Sequence, residues 1–258
     1  MIPLINNLPS GKKIYFASDF HLGVPSYEAS LAREKKIIRW LDSIEQDAHS
    51  IFLVGDIFDF WFEYKHVIPK GFIRLQGKLA SLTDKGIPVY WFTGNHDMWI
   101  FDYFTKELNI SILREPQELV INNTKILVGH GDGLGPGDYF YKFLKKIFAN
   151  SFFQWVFRMA PPAVGIGIAN GWSRRSRIIG LKKEKFLGDD EWLYVYCKEL
   201  ETKSHHDYYI FGHRHLPLNL EVGNGAHYIN LGEWVNYYTY AEFDGKELLL
   251  KEFKEEKV

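Results

Sequence analysis

Five apolar runs of four to six residues each end on a small cluster of Asp, His and Asn, and that repeated ending restricts the chain to few architectures. Lys13–Ser18 runs into Asp19-Phe20-His21, Ser50–Val54 into Gly55-Asp56-Ile57-Phe58-Asp59, and Val89–Thr93 into Gly94-Asn95-His96-Asp97. Lys125–Val128 runs into Gly129-His130-Gly131-Asp132, and Tyr208–Phe211 into Gly212-His213-Arg214-His215. Runs this short and rich in Ile, Val, Phe and Tyr read as strands buried on both faces. Helical patterns separate the early ones. Tyr27–Gln46 places Ile37, Ile38, Trp40, Leu41 and Ile44 on one face, and Phe72–Lys85 is closed by Gly86. Strands alternating with helices predict a layered α/β sheet, whose strand carboxyl ends are where ligands bind. Further strands are expected at Tyr228–Leu231, Tyr238–Phe243 and Leu248–Phe253, the last two a hairpin turning at Asp244-Gly245, which suggests a second sheet and a sandwich.

The whole chain sets outer bounds. Its 258 residues suffice for one domain with an insertion, spanning 1–258. With 31 basic against 32 acidic residues there is no bulk charge for nonspecific nucleic-acid binding. Cys197 has no second cysteine to pair with and is expected to be buried in a helix around Trp192–Leu200, which fits a reducing compartment. The amino terminus carries neither a basic leader nor a long apolar core, and Gln154, Arg158, Pro161 and Pro162 interrupt the most apolar window, Phe152–Ala169. These features point to a cytoplasmic protein whose membrane contact, if any, is peripheral.

The stretch 135–185 stands apart. Tyr139, Phe140, Tyr141, Phe143, Phe148, Phe152, Phe153, Trp155 and Phe157 recur at helical spacing, ahead of a Pro/Gly bend and Trp172-Ser173-Arg174-Arg175-Ser176-Arg177. Two readings fit. The aromatics are core packed against the main body, or they form a helical cap that offers apolar surface to an acyl chain and arginines to phosphate. Placement between the fourth and fifth clusters favours the cap. The arginines have a second reading as a solvated helix face.

The clusters carry the chemistry. Asp19 and His21 can hold one face of a divalent ion, and Asp56, after a glycine, can bridge two ions. Asn95 adds a neutral oxygen, and His130, His213 and His215 add imidazole nitrogens. This mixed set suits Mn, Fe or Zn better than Ca or Mg. Two ions roughly 3.5–4 Å apart can share one hydroxide and clamp a phosphate during in-line displacement. A lone His is more often a satisfied core residue, but five of the ten histidines fall in these clusters. His49, His66, His205, His206 and His227 lack such partners and read as structural or surface. His96, one residue past Asn95, can act as a general acid, its tautomer fixed by Asp97 or by a backbone carbonyl. Asp59 and Asp132 read as supports that orient ligand histidines.

Taken in order, the clusters D-x-H, G-D-x-x-D, G-N-H-[DE], G-H and G-H-x-H resemble the calcineurin-like metallophosphoesterase superfamily. The resemblance implies a four-layer α/β/β/α sandwich. It also implies one metal on Asp19, His21, Asp56 and His215, and a second on Asp56, Asn95, His130 and His213. A narrower likeness rests on Gly55–Trp61, on His130-Gly131-Asp132 followed by Asp138, on the aromatic insertion and on Leu231-Gly232-Glu233-Trp234. These are similar to the UDP-2,3-diacylglucosamine pyrophosphatase family of lipid A synthesis. That family cleaves its nucleotide-linked glycolipid to UMP and 2,3-diacylglucosamine 1-phosphate (lipid X), usually with manganese, at the inner membrane surface. By resemblance Asn95 and Asp138 are candidate substrate contacts; from the residues themselves His96, one past Asn95, can reach a bound phosphate, and Arg174, Arg175 and Arg177 can bring positive charge to a pyrophosphate. One departure stands: the best-known branch reads G-N-R-D where this chain has His96. A metallophosphatase or phosphodiesterase for another phosphorylated compound is the alternative, and a scaffold that has lost its chemistry is opposed by the intact ligand set.

Overall fold

The computed structural model describes residues 5, 7–137, 139–167, 171 and 185–255. Two sheets lie face to face. The first has six strands in the order β11-β10-β1-β2-β3-β4, with β1 (Lys13–Ala17), β2 (Ala48–Val54), β3 (Val89–Phe92), β4 (Ser111–Leu113), β10 (Thr239–Phe243) and β11 (Leu248–Glu252). The second has the order β5-β6-β7-β9-β8, with β5 (Gln117–Ile121), β6 (Thr124–Val128), β7 (Tyr208–Phe211), β8 (Pro217–Gly223) and β9 (Ala226–Leu231).

The side-chain period of two explains why both faces of the first sheet are apolar. Ile14, Phe16, Phe52, Val54, Tyr90 and Phe92 face the second sheet, where they meet Leu119, Ile126, Val128, Ile210 and Ile229. Their neighbours Tyr15, Ala17, Ile51, Leu53, Val89 and Trp91 face outward, onto the helices. There α1 (Tyr27–Ile44) buries Ile37, Trp40, Leu41 and Ile44, and α2 (Ile73–Asp84) buries Leu75, Leu79 and Leu82. The end of α2 is a Schellman turn: Gly86 at φ +79° donates to Thr83 O and Ile87 N to Leu82 O. On the far side, Leu193 and Cys197 of a later helix pack on Tyr209, Phe211 and Tyr228. Helix, sheet, sheet, helix is the expected four-layer sandwich.

The carboxy-terminal hairpin departs from the reading that grouped it with the second sheet. Its strand β10 pairs antiparallel with β1 and extends the first sheet, while Tyr228–Leu231 does lie in the second. The hairpin is covered on both faces, Ala241 and Phe243 against the inter-sheet core and Tyr240 against the α1 layer.

Two helices follow β6, α4 (Tyr139–Ala149) and α5 (Ser151–Met159), with Asn150 capping α5 through Phe152 N. A short helix, α3 (Tyr103–Leu108), precedes β4, and α6 (Trp192–Glu201) is the helix that covers the second sheet. In α4 and α5, Phe148 and Phe157 pack inward on Trp99, and Phe157 also on Phe62. Tyr139, Phe143, Phe152, Trp155 and Met159 are instead exposed, by 80, 60, 60, 56 and 68%. Among the described residues no helix is long and apolar enough to cross a membrane.

Candidate metal centre

The clusters meet at one end of the sandwich because parallel strands β1, β2 and β3 of one sheet, and β6 and β7 of the other, all deliver their carboxyl ends there. The loops leaving the strands are laced by backbone hydrogen bonds: Asp19 N to Gly55 O, His21 N to Asp56 O and Gly212 N to His130 O, each 3.0 Å. Asp19, His21, Asp56, His213 and His215 all take left-handed backbone angles, φ +45° to +67°. Non-glycine residues enter this region at a cost. Here it turns each side chain inward where a strand would have pointed it along the sheet.

The motif glycines serve close approach as much as turning. Gly55 is left-handed (φ +85°), but a Cβ there would also run into the His130 ring. A Cβ on Gly94 would strike Asp56 Oδ1, and one on Gly212 would sit 2.5 Å from Asp19 Oδ2.

Three groups of potential ligands result: His21, Asp59 and His96 form one, and the other two are donor sets that share Asp56. Asp19, His21, Asp56 and His215 bring one ligand atom each within 4.8 Å of one another, as do Asp56, His130 and His213. Asp56 belongs to both. Asn95 completes the second set, its Oδ1 2.9 Å from His213 Nδ1 and 3.3 Å from His130 Nε2. The pattern fits divalent ions. His21 Nε2 and His215 Nε2 face each other at 3.0 Å, and Asp19 Oδ1 is buried with no hydrogen-bond partner. His130 donates from Nδ1 to Val54 O at 2.8 Å, which leaves Nε2 for a metal.

Electrostatics favour ionised carboxylates. Burial alone would raise Asp56, but the charge on His130 and His96 outweighs it and holds Asp56 well below the usual range. Burial works equally against a charged His130, and Asp56 beside it wins, pushing His130 up to about 10. Burial and the neighbouring His130 charge lower His213 to about 4.

His96 donates from Nδ1 to Asp59 O at 2.8 Å, so the backbone carbonyl, and not Asp97, fixes its ring. Its ring lies edge-to-face with His21, centroids 5.1 Å apart. Asp97 is fully buried and accepts from Gly94 N at 2.7 Å and Ile57 N at 2.9 Å, so it braces the loop that carries Asn95 and His96. Burial, then repulsion from Asp56, pushes Asp97 up to about 6. Asp59 Oδ1 lies 3.7 Å from His21 Nδ1. Asp132 departs from the expected support of a histidine: its Oδ2 accepts from Tyr141 and pairs with Lys145, both on α4. Asp138, Arg174, Arg175 and Arg177 lie outside the described residues.

Spacing gave no sign of several neighbours. Arg33 is buried and donates to His21 O at 2.6 Å. Arg214, between two ligand histidines, forms a buried two-pronged pair with Glu191. Asn230 donates to Gly212 O at 2.5 Å. Only Arg214 carried a signal, a charge lodged inside a buried motif.

Strand-end carboxylates and imidazoles sharing one bridging aspartate, in a four-layer α/β/β/α sandwich, define a metal-dependent phosphoester hydrolase. The calcineurin-like phosphoesterase family model matches residues 12–217, and the chain belongs to that family. It is 34% identical over 262 residues to the UDP-2,3-diacylglucosamine hydrolase of Porphyromonas gingivalis, covering 94% of this chain and 98% of that protein. It is 27% identical to the protein of the same name from Shewanella baltica, over 85% of this chain and 88% of that one. Among solved structures, the phosphoesterase Yfce from E. coli aligns over 92% of this chain and 90% of its own at 16% identity, with a TM-score of 0.45.

Proposed function

We propose that the chain hydrolyses the pyrophosphate of UDP-2,3-diacylglucosamine to UMP and 2,3-diacylglucosamine 1-phosphate. The observation that carries this reading, beside the similarity to hydrolases of that name, is a mainly apolar cavity of about 580 Å³ whose wall reaches Asp59, a carboxylate 3.7 Å from the candidate ligand His21. It begins at Gly23 and Asp59 and runs outward between Tyr64, Ile68, Phe72 and Ile166. A cavity of this size and lining suits an acyl chain and is wasted on a small hydrophilic phosphate.

When bound, the two ions supply an acidified water and positive charge against the phosphate oxygens. Manganese is the proposed metal, with iron and zinc as the alternatives. Asp56 sets the spacing of the two donor sets. His96 has Nδ1 committed to Asp59 O, so Nε2 is the nitrogen that would protonate the leaving oxygen. Asp138, Arg174 and Arg177 remain proposed substrate contacts.

The chain is read as one unit, 1–258, in which 135–185 forms a cap. Tyr141 supports that placement, since its ring centre is 6.4 Å from the His213 ring. The exposed Tyr139, Phe143, Phe152, Trp155 and Met159, beside Lys142, Lys146 and Arg158, are proposed to rest on the inner membrane surface. Purified protein supplied with manganese should release UMP from UDP-2,3-diacylglucosamine. Turnover of aryl phosphates alone would sink the reading.

A further inference from the structure

His213 and His215 belong to different donor sets, and a single residue, Arg214, stands between them. Arg214 is buried, and its Nε and Nη2 donate to the two carboxylate oxygens of Glu191, Nη2 at 3.0 Å. The same Nη2 reaches Lys185 O at 3.3 Å, and the guanidinium lies 4.2 Å from the centre of the Trp192 ring. Glu191 is itself fully buried and stands directly before α6. We infer that Arg214 is a positioning residue for both ions. Anchored on Glu191, it fixes how His213 and His215 hold the two metals relative to one another. The inference rests on the metal assignment and not on the choice of substrate.

Asp56 joins the two donor sets from the first sheet, and the tripeptide His213-Arg214-His215 joins them from the second. Both histidines are held at left-handed angles, φ +67° and +56°. Such a backbone persists only where its surroundings over-determine it. Arg214 N donates to Gly212 O at 2.8 Å, a local bond that cannot place the loop against the rest of the sandwich. The side chain can, because its anchor is fixed. Val195 N donates to Glu191 O at 2.9 Å, the first helical bond of α6. The same turn abuts the His130 loop: a Cβ on Gly131 would lie 2.9 Å from Leu193 Cδ1, and one on Gly135 2.5 Å from Trp192 O. The base of α6 thus registers the loops of His130, His213 and His215 against one another.

The chemistry of the pair favours position over stability. A guanidinium is a planar fork that meets both carboxylate oxygens at once, whereas an ammonium is a point charge without that geometry. Burying an ion pair costs desolvation that apolar residues of similar volume avoid, so such a pair often adds little net stability. It does impose one arrangement of the groups that carry it. Glu191 also neutralises the guanidinium, so the loop brings no uncompensated positive charge to a site that must admit two cations.

The test starts from the full chain loaded with Mn and withdraws the metal with a graded series of chelator. Two variants are compared with wild type, Arg214→Lys and the double variant Arg214→Met with Glu191→Leu. Each should hold Mn about 10- to 100-fold more weakly, the cost of losing a group that orients metal ligands. The exchange coupling between the two Mn ions, read by electron paramagnetic resonance, should change in both. In excess chelator the double variant should melt no lower than wild type, since apolar replacement of a buried pair is often neutral or stabilising. A packing role alone would be repaired by that replacement, and a positioning role would not. The inference is overturned if the double variant folds and keeps two Mn with wild-type affinity and coupling. If it does not fold, Arg214→Lys decides, and wild-type affinity there overturns the inference equally. Wild type that binds no Mn overturns it together with the metal centre. Weakened Mn binding in the variants supports it even where UDP-2,3-diacylglucosamine is not cleaved, an outcome that rejects the substrate reading alone.

Discussion

His21 Nε2 and His215 Nε2 face each other across 3.0 Å, although 194 residues separate them in sequence. Two imidazole nitrogens hold such an approach only around a shared proton or a shared cation. With Asp19 Oδ1 at 3.3 Å from His215 Nε2, and buried without a hydrogen bond, the cation is the better match.

Metal content should follow the division of ligands. Asp56 serves both donor sets, so Asp56→Ala should lower bound metal from two ions per chain toward none. His213→Ala removes a ligand from one set only and should leave close to one ion. Both should lose at least about a hundredfold in turnover, since even residues that merely orient metal ligands cost 10–100-fold. Elemental analysis of the purified variants, alongside kinetics, checks this. Two ions retained in Asp56→Ala would refute the bridging role.

Proton donation by His96 predicts a dependence on the leaving group. His96→Ala should lose about 10²- to 10⁴-fold in kcat on a pyrophosphate or alkyl ester. On an ester of an acidic phenol, whose leaving oxygen needs no proton, the loss should shrink toward unity. Equal losses on both would assign His96 to binding.

Metal uptake should depend on pH in a definite direction. Without metal, His130 is pushed up to about 10 and keeps its proton at neutral pH, while His213 at about 4 is already neutral. Loading the second set must expel the His130 proton, so apparent affinity should climb by about tenfold per pH unit through the neutral range. The metal-free fold shows the opposite trend. A folded value above the ordinary 6.5 means that the His130 charge stabilises fully below 6.5 and is lost as pH rises toward about 10. Titration calorimetry in buffers of different protonation enthalpy should register about one proton released per ion at this set.

A methyl group at position 94 should be disproportionately harmful. Gly94 does not need glycine's backbone freedom, yet a Cβ would strike Asp56 Oδ1 and come within 2.6 Å of Asp56 N. Gly94→Ala should therefore cost about 1–3 kcal/mol, the usual scale of overpacking, and lower metal content as well. Thermal melts with and without chelator separate the two effects. A variant with wild-type melting and two ions would show that the loop yields.

The exposed aromatics of α4 and α5 make the membrane proposal measurable. Phe152→Ser with Trp155→Ser should greatly weaken sedimentation with anionic vesicles, because each aromatic removes apolar area from the interface. Undiminished sedimentation would place the contact elsewhere.

The sequence made the site easier to read than the scaffold around it. Each ligand sits at the end of a run buried on both faces, so Asp19, Asp56 and His213 announced themselves by pattern. Strands β4, β5 and β8 did not. The first has three residues, and β8 alternates Leu218 and Leu220 with Asn219 and Glu221 along a sheet edge. Short or one-sided strands give weak periodicity. The support given to His96 by Asp59 O was equally hidden, since any residue can offer a carbonyl. Gly94 was legible as a motif letter but not as a steric requirement, which depends on a carboxylate 38 residues earlier folding back over it.

Each donor set draws on both sheets: Asp19, His21 and Asp56 follow strands of the first, while His130, His213 and His215 follow strands of the second. The ions would act as rivets between two layers whose halves are made at different times. A chain still on the ribosome and ending before His213 closes neither set, however well its first sheet has formed. Each donor set therefore stays incomplete until the segment carrying His213 and His215 has been made, late in the chain.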